Sequence, residues 1–224
     1  DILIMSRTAE EHIQHLRIVL GTLRIHHFMA KLSKCEFAKP ELHFLGHVVG
    51  QQGVKMDPSK VAVIVKWPVP RSLKELQAFL GLAKYFRKFV HYYSTIAAPL
   101  TELCSGEKAA TFDWNAWGQA ELTAFERLKH ALVSAPVLTI PDPKKPFQVQ
   151  TDASVVGTGG ILLQSDRVVA YTSSKFSPAE YNYFTYEQEL LALFRALQVW
   201  RCYLEMSTET QLLTDHSPLV HLFN

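Results

Sequence analysis

The sequence predicts an α/β (mixed α+β) chain in two regions, a helix-rich first region followed by a mixed-sheet second one. Three observations carry that reading. Apolar residues recur at helical spacing in several segments before position 134. The stretch "SAPVLTIPDPKKPF", 134–147, then sets four prolines into fourteen residues, the clearest domain boundary in the chain. Beyond it, "FQVQT", "GGILLQ" and "VVAYTSS" read as three consecutive antiparallel strands with short turns, ahead of a long amphipathic helix.

Taken in order, "ILIMS" reads as a short buried strand. Thr8 with Glu11 forms a capping box that opens a helix with Ile13, Leu16, Val19, Leu20 and Leu23 on one face. "KLSKCEF" and "LHFLGHVVG" look like a strand pair, the second ended by Gly50 and the turn-forming "QQG". Two helical segments come next, Lys60 to Trp67 and Leu73 to Phe89. The prolines of "WPVPRS" interrupt them, and Ser72 with Glu75 caps the second. A further helix near Glu121 to Val133 spaces Leu122, Phe125, Leu128 and Leu132 along one side. In the second region the long helix runs roughly from Thr185 to Leu204, with Leu190, Leu191, Phe194, Leu197 and Trp200 as its expected core stripe. "TQLLT" is a fourth strand, and "SPLVHLF" starts another helix.

Composition removes several classes. At 224 residues and 48% hydrophobic, the chain is globular rather than disordered or fibrous, with room for one large or two small domains. Cys35, Cys104 and Cys202 stand far apart, without the spacing of a disulfide framework or a zinc knuckle, so a reducing compartment is expected. No apolar run reaches the roughly 18 residues a membrane span requires, and the N-terminus lacks a signal-peptide layout. The first residue is not Met, which suggests a piece of a longer protein. The net charge of +2 conceals an asymmetry: residues 1–110 hold 15 Lys+Arg against 9 Asp+Glu, and the remainder 8 against 12. A basic half joined to an acidic half fits a phosphate-binding scaffold followed by a site that gathers carboxylates.

Three acids of the second region occupy distinctive places. Asp152 ends the first strand, Glu189 lies early in the long helix, and Asp215 ends the fourth strand. Strand ends and the first turns of a helix can converge at one edge of a sheet. Hydrolysis of a phosphodiester with two Mg²⁺ needs such a cluster, because hard cations prefer carboxylate oxygens and a metal pair about 4 Å apart stabilises both attacking and leaving oxygens. Singly, each acid equally suits a bland role: a turn former, a charge favouring the helix dipole, or a cap.

Jointly, the acids and their surroundings resemble the ribonuclease H domain of reverse transcriptases from gypsy-type long-terminal-repeat retroelements. The residues that carry this are "TDAS" with "GTGGILLQ", "VAYTSSKFSPAEYNY", "YEQELLALFRALQVWRCYL" and "TDHSPL". The resemblance implies that Asp152, Glu189 and Asp215 are metal ligands and catalytic, with Mg²⁺ (two ions, Mn²⁺ able to substitute) as cofactor. Glu187 would then be a capping or surface residue. The first region resembles the same polyprotein upstream. "DILIMSRTAEEHIQHL" is similar to the segment after the first Asp of the polymerase Y-x-D-D motif, making Asp1 the second of its paired catalytic aspartates. "CEFAKPELHFLGHVVGQQGVKMDPSKV" resembles the end of the palm, with Phe44, Leu45 and Gly46 near the primer grip. "WPVPRSLKELQAFLGLAKYFRKFV" and "AAPLTEL" resemble the thumb, and "AFERLKHALVSAPVL" the connection.

The implied organisation is a partial palm over 1–56, a helical thumb over 57–110, connection and linker over 111–146, and an incomplete ribonuclease H-like domain over 147–224. The implied partners are an RNA–DNA hybrid or template-primer, fingers and palm upstream, and the rest of ribonuclease H with integrase downstream. The implied setting is cytoplasmic, in a virus-like particle. Polymerase carboxylates before residue 1 and a fourth metal-binding residue beyond Asn224 are expected from the family pattern. The alternative is a non-catalytic nucleic-acid-binding remnant, or a connection-like module in which the nuclease fold only supports assembly.

"KYFRKFVHYY", 84–93, interleaves three cations with five aromatics, a composition suited to gripping a phosphate backbone. Lys84, Arg87 and Lys88 are the expected duplex contacts, with Phe86 and Phe89 in the core. "GTGG" lacks the Lys and the strand-turn-helix setting of a phosphate loop, so a tight turn and close strand packing explain it better. The pairs His12 and His15, and His26 and His27, have no third ligand at zinc spacing, and His216 beside Asp215 could tune the site or simply pack.

Overall fold

The computed structural model describes residues 1–214, and it is a mixed α+β fold with two sheets. Helix α1 (Ala9–Ile25) starts where Thr8 Oγ1 accepts from the Glu11 amide, as the capping box requires. None of its residues is buried, and Ile13 on the predicted core face is 52% exposed. Among the described residues this apolar side is only partly covered, with Leu16, Val19 and Leu23 half-buried along an open groove. "ILIMS" forms no strand, and "KLSKCEF" holds only a short 3₁₀ turn at Leu32–Lys34. Instead "ELHFLGHVVG" is itself a hairpin, β1 (Glu41–Phe44) and β2 (His47–Gly50), followed by antiparallel β3 (Gly53–Met56). The turn between β1 and β2 is only Leu45-Gly46, both at positive φ (+48° and +69°), as a tight two-residue hairpin demands. A leucine is an uncommon occupant of that conformation, which is why the sequence reads as one continuous run.

Four helices follow this hairpin and pack on one another: α2 (Pro58–Val65), α3 (Leu73–Tyr85), α4 (Tyr93–Glu102) and, after short α5 (Gly106–Ala110), α6 (Gln119–Val133). Asp57 caps α2 with Pro58 at its first position, and Ser72 Oγ caps α3 through the Glu75 amide. Helix α4, within the stretch read as a helical thumb, carries Pro99 inside it. Ile64, Leu76, Phe79, Phe86, Leu100, Phe125, Leu128 and Leu132 form the first core, and Leu122 remains outside it.

The proline-rich segment is tied down on both sides. Leu138 exchanges two backbone hydrogen bonds with Val54 of β3, and the Thr139 amide donates to Val168. Gln164 accepts from the Asp142 amide and donates to the Asp142 and Lys145 carbonyls. Beyond it, β4 (Phe147–Ala153), β5 (Gly157–Gln164) and β6 (Arg167–Lys175) form the expected antiparallel meander. Helix α7 (Thr185–Leu204) leads to β7 (Thr210–Leu213), which pairs parallel with β4 and gives the order β6-β5-β4-β7. Phe147, Val149, Leu162, Leu193, Ala196 and Trp200 form the second core. The buried stripe of α7 is Glu189, Ala192, Leu193, Ala196 and Trp200, one step round from the predicted one, and Phe194 is 55% exposed. The small residues Ala192 and Ala196 let the helix lie close on the sheet, while the larger Leu190 and Phe194 turn outward. Among the described residues no helix is long and apolar enough to cross a membrane.

Candidate functional site

Strand alternation decides which way the first acid points. Phe147, Val149 and Thr151 are buried, and Gly160, the cross-strand partner of Thr151, lies against Trp200, so odd positions of β4 face α7. Asp152 therefore stands on the opposite face, exposed, with Gly159 as its cross-strand partner. Glu189, only 6% exposed, comes from the second turn of α7 and reaches the end of β4, where its Oε1 accepts from the Ala153 amide at 3.2 Å. One acid is fixed against the backbone of the residue next to the other. Glu187 does something different: its Oε2 accepts from the Phe184 amide at 2.8 Å and caps α7. Glu187 is thus a capping residue, as expected.

Asp215 and His216 lie outside the described residues, and among the described residues no group of three His, Cys, Asp or Glu could hold a metal ion. The two carboxylates brought to one sheet end are nonetheless the donor type a hard divalent cation takes. A carboxylate as buried as that of Glu189 also suits a cation better than an apolar core, because an ionised group taken out of water needs a counter-charge.

The residue that the sequence does not single out is Tyr92. Its hydroxyl donates to Asp152 Oδ2, from a part of the chain sixty positions away. Tyr92 precedes α4 in the left-handed region, at φ +52° and ψ +34°, a conformation that costs a non-glycine residue roughly 1–2 kcal/mol. Its ring lies tilted against His91, with centroids 3.9 Å apart, and His91 in turn lies 5.2 Å from the Tyr171 ring of β6. Burial pushes the His91 pKa down, and the nearby Asp152 charge only partly opposes this. Gly159 is what admits the Tyr92 ring: a Cβ there would stand 2.4 Å from the ring carbon Cε1. The glycines of "GTGG" thus serve close packing inside β5, while the tight turn belongs to Ser154, whose hydroxyl and amide bond to the Gly157 carbonyl. No local signal in "KYFRKFVHYY" distinguishes Tyr92 from its aromatic neighbours; only the long-range contact does.

The predicted nucleic-acid residues meet at the hairpin. The Leu45 carbonyl accepts from Tyr85 Oη at 2.6 Å and from His47 Nδ1 at 2.6 Å, so the end of α3 holds the Leu45-Gly46 turn. Gly46 lies against the Tyr85 and Phe86 rings. Phe86 and Phe89 are buried as expected, which leaves Lys84, Arg87 and Lys88 exposed beside the turn. Lys88 sits over the Phe89 ring, 5.3 Å from its centroid, and its ammonium pKa is lowered by partial desolvation. His47 is buried among Tyr85, Phe86 and Phe89. Its pKa is lowered first by burial and then by the Lys88 charge. Asp1 lines one open groove together with Phe44 and Leu45, along the apolar side of α1.

A family profile described as an RNase H-like domain found in reverse transcriptase matches residues 117–212, beginning at α6 rather than at the first strand of the sheet. The chain is 38% identical over 224 residues to the retrovirus-related Pol polyprotein from transposon 297 of Drosophila melanogaster, covering 100% of this chain and 21% of that protein. It is 35% identical over 226 residues to the corresponding polyprotein from transposon gypsy of the same organism, covering 98% and 22%. Among solved structures, a foamy viral protease-reverse transcriptase in complex with RNA/DNA hybrid superposes with a TM-score of 0.77 at 26% identity, over 96% of this chain and 30% of that one. The chain thus spans about a fifth of the length of the curated relatives it matches.

Proposed function

Because this chain belongs to the reverse transcriptase and ribonuclease H portion of gypsy-type retrotransposon Pol polyproteins, we propose that its second region hydrolyses the RNA strand of RNA–DNA hybrids. The observation that supports this most directly is the Glu189 carboxylate on the Ala153 amide, which sets two acids at one end of the sheet. Asp152 and Glu189, with Asp215 from beyond the described residues, would hold Mg²⁺. When bound, the metal supplies Lewis-acid activation of a water and stabilises the departing 3′ oxygen. The chain's own residues do the rest. The Ala153 amide fixes the rotamer of Glu189, while on the face opposite α7 the Tyr92 hydroxyl engages Asp152, so a hybrid would reach that carboxylate only past the start of α4. The cations at the end of α3, beside the Leu45-Gly46 turn, would hold the duplex by its phosphates. In this reading the first region is the end of a palm and a thumb, part of an RNA-directed DNA polymerase whose remaining segments accompany it in the polyprotein. An intracellular, cytoplasmic setting in a virus-like particle goes with it.

Asp152→Asn removes a charged ligand while keeping the side chain's shape, so Mg²⁺-dependent cleavage of a labelled hybrid should be lost with the circular dichroism spectrum unchanged. Cleavage that survives the substitution would refute the assignment. A second reading, a nucleic-acid-binding region without catalysis, is favoured by the Tyr92 hydroxyl on Asp152. It predicts salt-sensitive hybrid binding with no cleavage by the unsubstituted chain.

A further inference from the structure

Three cross-strand partners form a row on the face of the sheet opposite α7: Ser173 of β6, Gly159 of β5 and Asp152 of β4. The N-terminal end of α4 engages all three. The Ser94 amide donates to Ser173 Oγ at 2.8 Å, and the two serine hydroxyls are 3.1 Å apart. The Tyr92 ring lies on Gly159, and the Tyr92 hydroxyl bonds to Asp152. Further along the helix, Glu102 pairs with Lys175 at the end of β6. A helix of the first region is thus laid across the sheet and ends on the acid of the second region.

We propose that Tyr92 is a positioning residue of the nuclease site, acting through Asp152 as a latch: with α4 docked, its hydroxyl engages Asp152 and its ring covers the approach to that carboxylate, and the site opens to a divalent cation when the latch releases. The proposal rests on the reading of Asp152 as a metal ligand. Its physical basis is competition for one carboxylate. The phenol occupies a lone-pair direction on Oδ2 and holds the rotamer of Asp152, while its ring fills the space above Gly159. The backbone of Tyr92 adds to this, because a bulky residue in the left-handed region is held there only by its surroundings. Release therefore relaxes the chain at the latch as well as freeing the acid. A duplex seated on the hairpin beside α3 adjoins the same stretch of chain, since Arg87, Lys88 and Tyr92 lie within six residues.

The test is a Mn²⁺ titration of the chain, monitored by the electron paramagnetic resonance of free Mn²⁺, in four proteins: unsubstituted, Tyr92→Phe, Gly159→Ala and Asp152→Asn. Tyr92→Phe removes the hydroxyl alone. Gly159→Ala keeps the phenol intact and expels it, ring and hydroxyl together, because the new Cβ would lie 2.4 Å from the ring. Both should bind Mn²⁺ about tenfold more tightly than the unsubstituted chain, the factor expected when a hydrogen bond to a charged group no longer competes. Asp152→Asn should weaken binding by at least about tenfold. Loss of binding in Asp152→Asn with unchanged or weaker binding in Tyr92→Phe would overturn the latch and leave the metal site standing. Unchanged binding in Asp152→Asn would overturn the metal site itself. Should Gly159→Ala fail to fold, as judged by circular dichroism, Tyr92→Phe alone decides.

Discussion

Replacing Glu189 by glutamine and by alanine should separate the two tasks this side chain performs. The carboxylate is buried and its Oε1 holds the Ala153 amide at 3.2 Å. Glutamine offers a carbonyl oxygen in the same place, so the amide keeps its acceptor. The metal-free stability of Glu189→Gln should therefore stay within about 1 kcal/mol of the unsubstituted chain. Alanine leaves the Ala153 N–H without that acceptor at a part-buried position, a loss of about 1–3 kcal/mol, and adds the cavity of the deleted side chain. Both substitutions remove a charged oxygen ligand, so both should weaken Mn²⁺ binding by at least about tenfold. Urea unfolding without divalent ions, alongside Mn²⁺ titration, measures the two effects independently. Equal destabilisation by glutamine and alanine would refute the role given to the Ala153 bond. Undiminished Mn²⁺ binding in Glu189→Gln would refute the ligand role.

Two further predictions concern the hairpin. His47 donates from Nδ1 to the Leu45 carbonyl, and its Nε2 is buried with no hydrogen-bond partner among the described residues, so the folded state disfavours the imidazolium. Because its folded pKa lies below the ordinary 6.5, its contribution to stability is full above pH 6.5 and is lost as the pH falls through the lowered value. The urea midpoint should drop below pH 6.5 and drop less in His47→Phe; Asp57, held at about 2, stays ionised throughout that window. Equal drops in both proteins would refute this. For the cations, replacing Lys84, Arg87 and Lys88 together by alanine should lower the salt slope of hybrid binding by about 2–3, at roughly 0.9 per lost phosphate contact. Fluorescence anisotropy between 50 and 200 mM salt, taken as rough bounds of the useful range, reads it, and an unchanged slope rules out this face.

Local rules are legible wherever a local interaction sets the structure. Thr8 with Glu11 and Ser72 with Glu75 start their helices because a hydroxyl and an amide three residues apart satisfy each other without help from the rest of the chain. The β4–β6 meander arises likewise from alternation and short turns, and Glu187 resolves into a cap. What escapes depends on distant partners. Ile13 and its neighbours on α1 have the period of a buried face, but period does not supply something to bury against. Leu45 adopts a turn conformation that its side chain disfavours, held by Tyr85 from α3. Phe194 has the spacing of a core residue and turns outward because close helix-sheet packing selects Ala192 and Ala196 instead. At the site, Asp152 and Glu189 are identified by resemblance, whereas Tyr92 needs the fold to bring it to Asp152.

The strap of prolines has a mechanical consequence. Leu138 is hydrogen-bonded to the hairpin and Thr139 to the sheet, so adjacent residues of one chain grip both bodies. Bending between the two regions would have to break the Leu138–Val54 bridge or the Thr139–Val168 hydrogen bond, and the stiff proline rings around them offer little slack. Under the proposed function, a duplex resting on the Leu45-Gly46 turn would meet Asp152 at a spacing set by the covalent frame rather than by a swinging linker. The molecule would then act as a caliper, counting a fixed number of base pairs between the hand that holds the duplex and the acid that cuts it.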